Sequence, residues 1–199
     1  MRRIGRSLRD GRQGGGPMAS TVRDLIDQAK RARAEDRPAD ARRSLVEAAG
    51  LAREADAPAE LAEALMGWGQ IERDQGQDGR ALPLYEEAVS CRRRVGEPLA
   101  LAHALRHLGD LHRHSERLGL ARACYDEALA LYRAQPVAPP LDLANALRPM
   151  ALLDEREGRP QAAVDSWREA GTLYAEAGVA EGAEQASSAL LRLMEPRSS

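Results

Sequence analysis

Three stretches of this chain carry the same kinds of side chain at the same internal spacing. Leu108-Gly109-Asp110-Leu111 is followed by Ala121, Tyr125 and Ala128. Upstream, Trp68-Gly69-Gln70-Ile71 is followed by Ala81, Tyr85 and Ala88. Downstream, Met150-Ala151-Leu152-Leu153 is followed by Ala163, Trp167 and Ala170. The whole unit moves by 40 positions from Gly69 to Gly109 and by 42 from Gly109 to Ala151. A fixed period of this size points to a solenoid of stacked helices, because one unit cannot bury its apolar face without a neighbour.

Within a unit the apolar spacing is helical. Leu101, Leu105, Leu108, Leu111 and His112 share one stripe of a first helix over about Leu99–His114. A break at Glu116–Gly119 precedes a second helix that runs to about Tyr132 and turns Ala121, Tyr125, Ala128 and Leu129 inward. Pro58, Pro98 and the Pro139-Pro140 pair fall where units meet. Gly76, Gly119 and Gly158 are read as left-handed residues that end the first helix of three units. A degenerate earlier copy places Leu25, Ala29, Ala41, Leu45 and Ala48 at the motif positions, on helices Thr21–Ala34 and Pro38–Glu54. Pro149 lies inside a first helix and is expected to kink it, at about 3 kcal/mol. The predicted units are 22–61, 62–101, 102–143 and 144–181, closed by a capping helix over 182–195.

Composition supports a packed core of small residues. Of 199 residues 43% are hydrophobic, yet only 3% are aromatic and Phe is absent. Lys30 is the sole lysine among otherwise arginine basic residues, the coding bias of a GC-rich, bacterial genome. Cys91 and Cys124 lie in different units without a CxxC spacing, as expected of reduced thiols in a cytoplasmic protein. No run approaches the roughly 18 apolar residues of a membrane span. Residues 1–20 are basic and glycine-rich without an apolar run, which predicts a flexible tail rather than a secretory signal. Gly14, Gly15 and Gly16 ahead of Met18 also make Met18 a candidate start.

Small Gly or Ala at the eighth position, Ala at the twentieth, an aromatic at the twenty-fourth and Ala at the twenty-seventh resemble the tetratricopeptide repeat. The resemblance covers roughly Thr21–Met194, and the unit lengths are closer to the longer variety of kinesin light chains and many bacterial proteins. Glu72, His112 and Asp154 depart from the pattern, standing where a tyrosine is usual. The resemblance implies an all-α, right-handed superhelix acting as a non-catalytic protein-interaction scaffold. It also implies that first helices line a concave groove through positions two, five, six, nine, twelve and thirteen.

Carried onto this chain, those positions hold eight basic and five acidic residues, a net charge of +3. The tail adds +4, so the remainder of a chain of net charge −2 stands near −9. A basic groove in an acidic shell favours a peptide or protein partner with an acidic segment. The residues assigned to that groove are Arg73, His103, Arg106, His107, Asp110, Arg113, Arg148 and Arg156. The terminal-carboxylate clamp of chaperone-binding relatives is not expected, since only Lys30 matches its pattern.

His103, His107, Asp110 and His114 fall within a helical stripe about 60° wide, with His112 on the opposite side. His103 and His107 have the i, i+4 spacing of metal ligands, but no third ligand motif accompanies them, so no metal or cofactor is assigned. Histidines near an ordinary pKa of 6.5 beside Arg106 and Arg113 would instead make the groove pH-responsive. Self-association remains a second alternative. A phosphate loop, GxSxG and an oriented Cys/His pair are all absent, so no enzyme is expected. Nucleic-acid binding is not expected either, because Tyr85, Tyr125 and Trp167 occupy core positions rather than a base-stacking surface.

Overall fold

The computed structural model describes residues 17–137 and 139–195, and these form helices and turns with no strand. The predicted basic tail lies outside the described residues up to position 16, whereas Pro17 already opens the first helix. In chain order the helices are α1 (Pro17–Ala34), α2 (Pro38–Glu54), α3 (Pro58–Asp74), α4 (Asp78–Val95) and α5 (Pro98–His114). They continue as α6 (Leu118–Arg133), α7 (Pro140–Arg156), α8 (Pro160–Glu176) and α9 (Ala180–Met194). From α1 to α7, each odd helix packs most extensively on the even helix that follows it, and each even helix then packs on the next odd one. The result is an all-α superhelical solenoid of four helix pairs with α9 closing the last pair. The odd helices approach one another directly, α1 on α3 and α5 on α7, and so form the inner wall.

The repeated small residue exists to admit a ring. A Cβ on Gly69 would lie 2.9 Å from Tyr85, and one on Gly109 would lie 2.6 Å from Tyr125. Both rings are fully buried, as is Trp167 against Ala151. Leu65, Leu105 and Leu147 are buried as well, at 0, 2 and 2% exposure, which seats the three first helices in the core.

Helix ends follow the repeat too. Proline opens α2, α3, α5, α7 and α8 at a position whose amide has no intrahelical acceptor. Two positions beyond the end of each first helix the backbone is left-handed: Asp36, Gly76, Glu116 and Gly158, with φ of 55, 70, 60 and 70°. Behind each, the following amide bonds back across the turn, as Gln77 N–H does to the Glu72 carbonyl at 2.8 Å. Gly119 therefore does not end α5; Glu116 does, and Gly119 lies in the first turn of α6. Pro149 does not end α7, which continues to Arg156, and Pro83 is likewise carried inside α4.

Glu72 and Asp154, the departures noted above, are buried acids paired across repeat boundaries. Arg42 of α2 donates to Glu72 at 2.5 Å, and the Trp68 indole donates to the same oxygen at 2.7 Å. Burial alone would raise the Glu72 pKa, but Arg42 and Trp68 outweigh it and hold the carboxyl below its ordinary range. Arg122 of α6 donates to Asp154 at 2.7 Å and Arg159 at 3.0 Å. There burial wins, helped by the nearby carboxylates of Glu157 and Asp126, and the Asp154 pKa is raised despite Arg122. At the middle boundary the equivalent residues are Leu82 and His112. His112 is buried with its Nδ1 lacking a partner, and burial lowers its pKa. Where the arginine is lost, the buried acid is replaced by a group that can stay neutral.

The outer face repeats another pair. Arg53 donates to Glu87, Arg93 to Glu127 and Arg133 to Glu169, each from one even helix to the next. These pairs are half in water and contribute at most about 1 kcal/mol each.

Candidate functional site

Repetition also organises the inner wall. Arg33, Arg73 and Arg113 occupy one equivalent position on α1, α3 and α5, at the 40-residue spacing. Arg106 and Arg148 occupy another on α5 and α7. Stacking the helices brings Arg73, Arg106, Arg113 and Arg148 around one cavity of ≈ 140 Å³. Asp110, His114 and Asn145 complete its polar lining, and Pro149 and Leu152 form its apolar side. Four guanidiniums therefore face a single carboxylate.

That carboxylate is committed elsewhere. Asp110 Oδ1 accepts the Tyr125 hydroxyl at 2.9 Å, while Oδ2 lies 3.6 Å from Arg106 and 3.8 Å from Arg73. Those separations give charge attraction without a hydrogen bond. No acidic group lies within ion-pair distance of Arg113 or Arg148 among the described residues. The Nε atoms of Arg106 and Arg113 are buried without a hydrogen-bond partner. Charge and donors are both in excess here.

His107 forms the floor behind this cluster. It is 8% exposed, stacked on Tyr85 at 5.6 Å between centroids and edge-on to His103 at 4.6 Å. Its Nδ1 lies 3.0 Å from an Arg73 nitrogen and its Nε2 2.9 Å from an Arg106 nitrogen. A neutral imidazole has one accepting nitrogen, so only one guanidinium can donate to it. Burial drives the His107 pKa down to about 2, with Arg106, His103 and Arg73 adding repulsion. The His103 pKa is lowered by desolvation in the crowded wall and then by Arg106, although its outer edge is in water. Both shifts run downward, against the ordinary histidine titration on which the pH-responsive alternative rests.

The predicted groove residues thus separate into three settings. Arg73, Arg106, Asp110, Arg113 and Arg148 share the cavity. His103 and His107 stand together beside it, their rings packed on each other rather than splayed toward a common point. Arg156 lies apart, paired with Glu116 at a turn between helices. The i, i+4 histidines gather no third metal-ligating side chain, and no such cluster of three exists among the described residues. Two further features lie on the same wall. Asn145 accepts the buried Tyr174 hydroxyl at 2.9 Å. Ile26, Ala29, Leu45 and Gly67 form the apolar floor of a notch of ≈ 190 Å³ between α1, α2 and α3, rimmed by Lys30, Arg33 and Glu63. No helix of the described residues is long and apolar enough to cross a membrane.

Residues 60–134 match the tetratricopeptide repeat family model. None of the curated proteins compared matches the chain. Among solved structures, a point variant of a Podosopora anserina protein described as a kinesin light chain with nearly identical TPR-like repeats is similar at 13% identity. That match has a TM-score of 0.70 and covers 87% of this chain and 85% of the other. MamA is similar at 18% identity and TM-score 0.57, over 88% of this chain and 93% of its own. BtubC from P. vanneervenii is similar at 15% identity and TM-score 0.55, over 92% and 96%. At these identities the likeness is one of fold.

Proposed function

We propose that this chain, a solenoid whose residues 60–134 are tetratricopeptide repeats, is a non-catalytic scaffold whose concave wall captures an acidic segment of a partner protein. Proteins of this repeat family generally act as interaction scaffolds. The observation that carries the acidic preference is the cavity between α3, α5 and α7, where four arginines meet one carboxylate. An incoming carboxylate finds Arg73 and Arg106 already largely desolvated, with Arg148 still open to water at the mouth, so it exchanges its own hydration for charged donors. The rest of the chain is acidic, which steers a like-charged segment toward this face.

The test is fluorescence anisotropy with labelled peptides of alternating Glu and Ala, of alternating Lys and Ala, and of Ser and Ala. The acidic peptide binds, the other two do not, and affinity falls as salt rises. Arg148→Glu and Arg113→Glu each weaken binding by about tenfold or more, as expected for a lost and inverted charge contact. Equal binding of acidic and basic peptides, or no loss in either variant, rejects the reading.

A further inference from the structure

The arginine cavity has more uncompensated charge than one carboxylate can neutralise. Arg73, Arg106, Arg113 and Arg148 against Asp110 leave +3, and a bound Asp or Glu side chain leaves +2. A phosphomonoester carries about −1.5 to −2 at neutral pH and presents three acceptor oxygens. We infer that this cavity is a receptor for a phosphorylated side chain of the partner segment, held by guanidiniums of α3, α5 and α7. The inference rests on the acidic-segment reading above and names the group at its centre.

Three details of the geometry support a multidentate anion rather than a single carboxylate. The donors come from three successive helices and line one cavity, so an anion seated there meets guanidiniums from more than one side chain at once. Neither Arg113 nor Arg148 has an acidic neighbour at ion-pair distance among the described residues, so their charge is available to a ligand. Finally, Arg73 and Arg106 both point N–H groups at His107, which can accept from only one of them. Arg73 also donates to Gln70 Oε1 at 2.7 Å, but Asp110 is too far from either guanidinium to accept a hydrogen bond, so the N–H that His107 cannot accept is left for an incoming anion. A tetrahedral anion seated in the cavity offers acceptors in the several directions these donors require. Pro149 and Leu152 close one side of the cavity, which limits water and strengthens each charge contact.

The experiment titrates the full chain with four probes, followed by the arginine side-chain NMR resonances and by calorimetry. The probes are a phosphoserine peptide in a Gly/Ala background, its Asp analogue, its Ser analogue and inorganic phosphate. The phosphoserine peptide binds at least about tenfold tighter than the Asp analogue, and the Ser analogue does not bind. Arg148→Gln and Arg113→Gln, checked for native helicity and unchanged unfolding midpoint, abolish the preference for phosphoserine over Asp. Equal affinity for phosphoserine and Asp peptides overturns the inference and leaves the acidic-segment reading standing. Failure of both peptides overturns both. Inorganic phosphate binding as tightly as the phosphopeptide overturns the assignment to a side chain, and a phosphoserine preference untouched by both variants places the site elsewhere.

Discussion

The middle repeat boundary offers a test of how buried charge is managed along the solenoid. Arg42–Glu72 and Arg122–Asp154 are buried acid–arginine pairs, and Leu82 with His112 replaces them at the equivalent place. His112→Glu alone puts a carboxylate in a site 6% exposed, with Glu86 of the same sign and Arg117 of opposite sign nearby but no hydrogen-bonded arginine. Leaving a buried charge unpaired costs about 3–5 kcal/mol. Leu82→Arg alone removes part of a half-buried apolar contact but lets the guanidinium reach water, a loss of about 1 kcal/mol. If the two sites were independent, the double variant would lose about 4–6 kcal/mol by adding those two costs. With the pair rebuilt as at the flanking boundaries, it loses about 2 kcal/mol less than that sum. Urea unfolding of the wild type, both single variants and the double variant, followed by circular dichroism, measures the coupling from midpoints at constant m. A coupling within about 0.5 kcal/mol of zero refutes the claim that the arginine is what makes a buried acid tolerable here.

Other expected outcomes follow from the same coordinates. Gly109→Ala forces a methyl to within 2.6 Å of the Tyr125 ring and destabilises by about 1–3 kcal/mol, whereas Gly50→Ala, with open space around it inside α2, stabilises by about 0.5–1 kcal/mol; thermal unfolding compares them. The His107 pKa is depressed on folding, so the unfolded chain binds its proton first and stability falls as pH drops below about 6.5. For His107 the loss by pH 5 is about 2 kcal/mol, His112 adds in the same direction, and a pH series of urea midpoints with His107→Asn as control reads both. Gly76→Ala, at φ 70°, costs about 1 kcal/mol in the same assay, because an L side chain is strained there. Raising salt should weaken the outer Arg53–Glu87, Arg93–Glu127 and Arg133–Glu169 pairs with little change in the unfolding midpoint, since each contributes so little.

The amino-acid order by itself determined the helix pairs, their period and their core. Those properties follow from local rules: Tyr85 and Tyr125 need Gly69 and Gly109 opposite them, and proline at a first position opens a helix. Local rules also misplaced one detail, because Gly119 looks like a helix terminator until the register shows Glu116 at the left-handed position. Which inner-wall residues share a cavity was decided only by stacking. Arg73 and Arg148 are 75 positions apart, and nothing local says that α3, α5 and α7 bring them around one point while Arg156 turns away to Glu116. The same holds for His107, whose helical position fits an accessible groove histidine. Burial against Tyr85 and between two guanidiniums, a property of neighbouring helices, is what lowers its pKa.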